Sequence, residues 1–454
     1  MNVLLINPPM PGLYHRMGLL MPPLGVMYCA SVLKEHGHEV HIIDMNVAGE
    51  DSAVDYRDFD IVGISSDTPR INEAMEFAKI AKEAGKIVVL GGVHPTFLDE
   101  ELLYTGCVDY IVRGEGEATF LELVTALQED DGHDMEKVRG ISWLNEEGEV
   151  VRSPSRDFID DLDEMPYPAR DLIDLKRYKG LTLAGRPMTS ILTSRGCPYD
   201  CSFCSANKLT GRTWRARRPA HIVDEMESIM EDYPFTAFCL VDDNFTLNVK
   251  RVNAICTEII ERKLDIRWWC MSRTDLIARN ERLVERMAAS GCDTVFLGLE
   301  SGSQRSLEGY HKESSVELGK EAVRLLKKHG IDTHASFIIG DVNETHEDIR
   351  KTLNYALELN PYVVQFSIMT PYPGTSLFEK IKKRIYETDW AKYDGTHGVF
   401  RVDNFLPGEL EDILRDIYKR FYLRPRRLLK ILINWIKGYH MNIARVRDLF
   451  ESLP

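Results

Sequence analysis

The run Ser194-Arg195-Gly196-Cys197-Pro198-Tyr199-Asp200-Cys201-Ser202-Phe203-Cys204 decides the reading of this chain. Its cysteines follow the spacing C-x3-C-x2-C, with no fourth cysteine nearby. Thiolates hold iron–sulfur clusters, and a four-iron cubane held by three of them keeps one iron open. An open coordination position marks a catalytic metal site rather than a structural one. The pattern also fits a zinc site with a distant fourth ligand. The missing neighbour favours a catalytic [4Fe-4S] cluster on Cys197, Cys201 and Cys204.

The remaining cysteines (Cys29, Cys107, Cys239, Cys256, Cys270 and Cys292) are scattered, mostly inside apolar segments. They read as buried thiols of a reducing cytoplasm, not as a disulfide framework. The net charge is −15, from 56 basic and 71 acidic residues, which argues against nucleic acid as the main partner. The N-terminus has no basic segment before its first apolar run, so no secretory signal is expected. The apolar stretch 428–436, broken by Lys430 and Asn434, is too short to span a bilayer. A cytoplasmic protein without a transmembrane segment is expected.

With 454 residues the chain has room for about two or three domains. Upstream of the cysteines, strand candidates 3–6, 40–43, 61–64, 87–90 and 110–112 alternate with helical segments such as 24–35 and 71–84. Short β-rich runs separated by helices predict a parallel, doubly wound sheet. Its ligands would sit beyond the strands' carboxyl ends, where the Gly, Pro and Ser/Thr clusters fall. Residues 140–151 read as a hairpin, and 153–170 as a Pro- and Asp-rich connector. Strand candidates 189–193, 237–241, 266–271, 294–299, 333–339 and 363–369 then alternate with helices 221–230, 252–262, 280–289, 315–329 and 347–359. This spacing predicts a (β/α) barrel or most of one, with the cysteine loop at its carboxyl mouth. The last segment is helical and basic, and Leu428, Leu429, Ile431, Leu432 and Trp435 form an apolar face. It is expected to pack on the barrel; a membrane-surface or partner helix is the alternative. The expected domains are 1–135, a hairpin and linker at 136–186, the barrel at 187–385, and a mostly helical region at 386–454.

On these residues the chain resembles the radical S-adenosylmethionine (SAM) superfamily, and within it the cobalamin-binding class. The resemblance implies an α/β chain: a Rossmann-like cobalamin-binding domain, a partial (β/α)6 radical SAM barrel and a C-terminal helical segment. It implies that SAM chelates the open iron. One electron from an external ferredoxin- or flavodoxin-type reductant then yields a 5′-deoxyadenosyl radical, under anaerobic conditions. Phe203 would touch the adenine. Asp242, Asp243 and Asn244 would receive the SAM amino group, and Arg273 its carboxylate, as opposite charges suit. Glu300 and Ser301 match the ribose- and methionine-contacting patch, and Ser336, Gly340 and Tyr372 complete the set.

For cobalamin the resemblance points to Pro8, Ser65, Ser66, Asp67, Thr68, Arg70, Gly91, Gly92, His94, Gly114 and Glu115. The cobalt-ligating signature Asp-x-His-x-x-Gly is not intact, because Leu13 precedes His15-Arg16-Met17-Gly18. The lower face of cobalt is therefore left to Asp67, Thr68 or Arg70, and His94 reads as a structural loop residue. The implied activity is methylation of an unreactive sp3 carbon. One SAM methylates the cobalamin, and a second supplies the radical that takes a hydrogen atom from the substrate. The substrate would be a small molecule or a peptide or protein residue. The alternatives are a ring-forming or carbon–carbon-bond-forming radical enzyme without methyl transfer, and a cofactor-binding protein without catalysis. A methylthiotransferase is disfavoured, since there is no second set of cluster cysteines.

Overall fold

The structure is a computed structural model that describes residues 1–10, 20–48, 54–129, 135–178, 181–429, 447, 449–451 and 453–454. The motif His15-Arg16-Met17-Gly18 and the apolar positions Ile431, Leu432 and Trp435 lie outside the described residues.

The first sheet is built from β1 (Asn2–Asn7), β2 (Glu39–Asp44), β3 (Ile61–Ser65), β4 (Ile87–Gly91) and β5 (Tyr110–Val112), connected through α1 (Leu24–Glu35), α2 (Ile71–Glu83) and α3 (Glu117–Gln128). The order is β2-β1-β3-β4-β5, all parallel. Helices cover both faces, so a continuous apolar run such as Val3, Leu4, Leu5 and Ile6 is buried throughout. The order reverses at β1, which places the topological switch point between β1 and β3. The hairpin β6 (Ile141–Leu144) and β7 (Val150–Arg152) continues this sheet, with β6 antiparallel to β5. The sequence reading put it in the linker. Its cross-strand partners, Tyr110 with Trp143 and Val112 with Ile141, show it to be an edge extension instead.

The second sheet begins with β8 (Thr182–Leu183) and β9 (Arg186–Ile191), followed by the small two-stranded ladder β10 (Ser194–Arg195) and β11 (Arg215–Ala216). Then come α4 (Pro219–Asp232), β12 (Ala237–Leu240), α5 (Val249–Glu261), β13 (Arg267–Ser272), α6 (Glu281–Ala289), β14 (Cys292–Glu300), α7 (Val316–Lys328), β15 (Asp332–Ile339), α8 (His346–Leu359), β16 (Val363–Ile368) and α9 (Glu409–Tyr422). The order is β16-β15-β14-β13-β12-β9-β8, with β9 to β16 parallel and β8 antiparallel at the outer edge. Because β16 does not pair with β9, the barrel stays open.

An open barrel leaves β16 with an unpaired edge. Helix α9 covers it. The Tyr418 hydroxyl accepts from the Phe366 N–H at 2.9 Å and donates to the Phe366 carbonyl at 3.0 Å. The Tyr422 hydroxyl does the same at Val364, at 3.0 and 2.9 Å. Four helical residues rise about 6 Å, and two strand residues about 6.6 Å, so the two tyrosines match alternate positions of the strand. Among the described residues no helix is long and apolar enough to cross a membrane.

Candidate active site

The three cysteines lie in the loop between β10 and β11, all free and half-buried. The loop is tied down by its main chain. Ser202 N–H donates to the Tyr310 carbonyl at 3.0 Å, Leu377 N–H donates to the Ser202 carbonyl at 2.9 Å, and Cys197 N–H reaches the Gly211 carbonyl at 3.2 Å. Phe203 packs edge-on against the Tyr310 ring, with centroids 5.8 Å apart. Burial raises all three thiols, Cys204 to about 12. At Cys201 the charges of Lys312 and Arg273 pull the other way. Iron binding needs the thiolate, so these cations suit an anionic cluster. No group of three or more His, Cys, Asp or Glu among the described residues is arranged to hold a metal ion. A cubane whose thiolates sit on separate irons does not require such convergence.

The strand ends around the loop divide the predicted SAM residues into two kinds. Asp242 is fully buried and bound to protein: it accepts from Thr193 N–H at 2.6 Å and from the Ser194 hydroxyl at 2.6 Å. These bonds fasten the end of β9 to the end of β12. Asp243, next in sequence, opens into the cavity between the two sheets. Its side chain is exposed toward the cavity, yet desolvation by the surrounding walls and repulsion from Asp242 push its carboxyl up to about 6, against a hydrogen bond from Thr210. Both polar atoms of the buried Asn244 carboxamide lack a protein partner. Asp243 is therefore the carboxylate open to a ligand, while the Asn244 carboxamide behind it is enclosed.

Arg273, expected at the SAM carboxylate, is engaged by protein. It donates to Asp275 at 3.0 Å and to the Glu313 carbonyl at 2.7 Å, and it stacks on the Tyr199 ring at 3.5 Å. Its guanidinium buttresses the cysteine loop rather than standing free for a carboxylate. Glu300 adopts a left-handed φ of 58° at the end of β14 and pairs with the buried Lys312 at 2.7 Å. Gly298 makes room for that pair, since a Cβ there would lie 2.3 Å from the Glu300 Oε1 and 2.8 Å from the Lys312 Nζ. Sequence reasoning missed Lys312, because nothing in the local pattern pairs it with Glu300. Ser301 is buried and bonded to Thr352 at 3.1 Å, so it knits β14 to α8. Ser336 lies half-buried on β15, with Gly298 and Gln365 as its neighbours in register. The Gly340 N–H is held by Glu344. The Tyr372 carbonyl accepts from the Thr375 hydroxyl at 2.7 Å.

A cavity of about 310 Å³ runs between the sheets. Ser65, Gly91, Gly92, Gly114 and Glu115 line it from the first sheet, and Arg195, Thr210 and Asp243 from the second. Its walls are mainly apolar side chains and glycine backbone, a surface for a large flat ligand with few polar contacts. Gly92, at φ +100°, lies flush against Ser66, whose carbonyl would be 2.4 Å from any Cβ. Asp67 grips Arg70 at 2.9 and 2.8 Å, and Arg70 reaches Asn7 at 2.9 Å. Arg70 lines a second hollow, of about 400 Å³, which shares Ser65, Gly25 and Val26 with the cavity. Pro8 accepts from Asn46 at 3.2 Å. Thr68 and His94 are buried against each other at 3.2 Å, outside the cavity lining. The His94 ring stacks edge-on against Trp390, and burial lowers its imidazole to about 4. Thr68 and His94 thus both sit away from the cavity lining. Glu115 is already bound to Arg215 at 2.8 and 3.0 Å.

Two family models match the chain: the B12 binding domain over residues 12–124 and the Radical SAM superfamily over residues 191–356. An uncharacterized methyltransferase of Pyrococcus horikoshii is 38% identical, over 95% of this chain and 94% of the relative. The anaerobic magnesium-protoporphyrin IX monomethyl ester cyclase of Rubrivivax gelatinosus is 34% identical, over 93% of this chain and 78% of the relative. The radical SAM methyltransferase TsrM from Kitasatospora setae, solved with cobalamin and a [4Fe-4S] cluster bound, shares the fold with a TM-score of 0.70. Identity there is 23%, over 84% of this chain and 78% of that one. The full-length similarity, the two matched domains and the three-cysteine loop, whose Leu209 and Thr210 line the cavity between the sheets, agree, and the chain belongs to the cobalamin-binding radical SAM methyltransferase family.

Proposed function

We propose that the protein transfers a methyl group from SAM, by way of cobalamin, to an unactivated sp3 carbon of a small organic molecule. The observation that carries this is the shared cavity, walled by the glycine-rich strand ends of one sheet and by the cysteine-loop side of the other. When bound, the cluster and SAM supply hydrogen-atom abstraction, and cobalamin supplies the methyl group. The protein's own residues bind, orient and exclude water. Asp243, ionised above about pH 6, receives the SAM ammonium. Phe203 and Tyr310 wall the cluster side. Removal of a hydrogen atom needs no protein base, so no catalytic triad or carboxylate pair is assigned. A ferredoxin- or flavodoxin-type donor would deliver the electron.

Ring formation without methyl transfer is the second reading, supported by similarity to the magnesium-protoporphyrin ester cyclase. One experiment separates the two. The anaerobically purified protein is reconstituted with iron, sulfide and hydroxocobalamin, then given SAM carrying a CD3 group, a reductant and candidate substrates. A product heavier by a CD3-for-H exchange supports methylation. A dehydrogenated, cyclised product supports the second reading, and failure to bind corrin sinks the first. Cys201→Ala should abolish 5′-deoxyadenosine formation.

A further inference from the structure

In the ladder that brackets the cysteine loop, Arg195 on β10 stands directly opposite Arg215 on β11. Like charges facing each other across a strand pair destabilise it, and both side chains are buried, at 8% and 5% exposure. The compensating charges come from the other sheet's domain. Glu115 accepts from Arg215 at 2.8 and 3.0 Å and lies 3.4 Å from Arg195. Glu117, the first residue of α3, accepts from Arg195 at 2.5 Å. Tyr28 of α1 places its ring 5.6 Å from the Arg195 guanidinium. Glu115, Glu117 and Arg195 also line the cavity itself.

We infer that Glu115 and Glu117 are positioning residues: carboxylates of the cobalamin-binding domain complete the ladder that carries the cluster cysteines, and so set the distance between the two cofactors. This rests on the function proposed above. The balance is local, two guanidinium cations against two carboxylates, with Cys197 only two residues beyond Arg195. Removing one carboxylate leaves two buried cations to share the other, removing both leaves them face to face, and the loop loses its reference to the first domain. Replacing Arg195 by lysine keeps the charge but loses the planar fork that spans both glutamates.

Hydrogen–deuterium exchange on the protein without cofactors is the first test. Glu117→Gln and the double variant Glu115→Gln/Glu117→Gln should lose protection within residues 194–217, while β12 and α5 keep theirs. Unchanged exchange, or a uniform rise along the chain, overturns the inference. In the second test the reconstituted variants receive SAM, hydroxocobalamin and titanium(III) citrate. Methyl transfer from SAM to the corrin, read by visible absorbance, should fall by about 100-fold, the scale on which rates respond to a misplacement of roughly one ångström. 5′-Deoxyadenosine per bound iron should fall far less than methyl transfer, since iron that is bound marks an assembled cluster, and Glu117→Asp should recover part of the transfer. If both rates fall together, or neither falls, the positioning role is wrong. If the unmodified protein binds corrin but never methylates it, the proposed function fails, while the exchange experiment still judges this inference.

Discussion

Asp242 takes both the main-chain N–H and the hydroxyl of Thr193, at 2.6 and 2.5 Å, and so locks the end of β9 to the end of β12 just before the cysteine loop. Its neighbour Asp243 makes none of these bonds and faces the cavity. Asp242→Ala should therefore destabilise the fold by about 3 kcal/mol or more, since each hydrogen bond to a buried charge contributes roughly 1.5–3 kcal/mol. Iron content after reconstitution should fall with it. Asp243→Asn should not lower the denaturant midpoint, and at neutral pH should raise it, because it removes a carboxylate whose ionisation the fold disfavours; it should weaken SAM binding by roughly 30-fold, the equivalent of about 2 kcal/mol. Chemical denaturation and SAM titration of the two variants check this, and exchanged phenotypes would refute the division of roles.

SAM binding should depend on pH through the same residue. The Asp243 carboxyl is raised from its ordinary value to about 6, by burial first and by Asp242 second. Affinity for the SAM ammonium should drop as pH falls through 6, and the drop should vanish in Asp243→Asn. The stability effect has the opposite sign. A carboxyl raised in the folded state favours folding while protonated, so its contribution is lost as pH rises from about 4 to 6.

Glu344 should dominate the alkaline side of the stability profile. Burial lifts its carboxyl to about 8, against the pull of the Gly340 N–H, and its second oxygen has no partner. The neutral acid is the form the fold accepts, so stability should decline as pH rises from the ordinary carboxylate range toward 8. Glu344→Gln should flatten that decline and raise the unfolding free energy at pH 8 by on the order of a few kcal/mol. A steeper decline in the variant would contradict this.

The tyrosine cover on β16 gives a purely structural prediction. Tyr418→Phe and Tyr422→Phe should each cost about 1–3 kcal/mol, because each strands a buried N–H and C=O of the edge strand. The double variant, with its edge unpaired, should aggregate during refolding. Denaturation curves and light scattering report both effects.

The local features were legible in the residues. Apolar runs ending in Gly, Pro and Ser/Thr clusters mark the parallel strands, because a strand buried on both faces needs a continuous apolar run. The C-x3-C-x2-C spacing marks the cluster loop, because its ligands are near neighbours in sequence. The resemblance built on them pointed to both cofactor domains. Register and direction were not legible. Asp242 and Asp243 are adjacent and identical, and only the strand end's orientation decides which meets Thr193 and which meets the cavity. Arg273 reads as a free cation until Asp275, Glu313 and Tyr199 close around it. The hairpin was legible as a hairpin, but a short antiparallel extension carries no signal for which edge it joins. Glu117 and Arg195 lie 78 residues apart. The chain by itself determined the elements and the chemistry carried by each strand end. The tertiary structure alone decided which charged groups neutralise one another and which stay free, because burial and pairing depend on contacts between residues far apart in sequence.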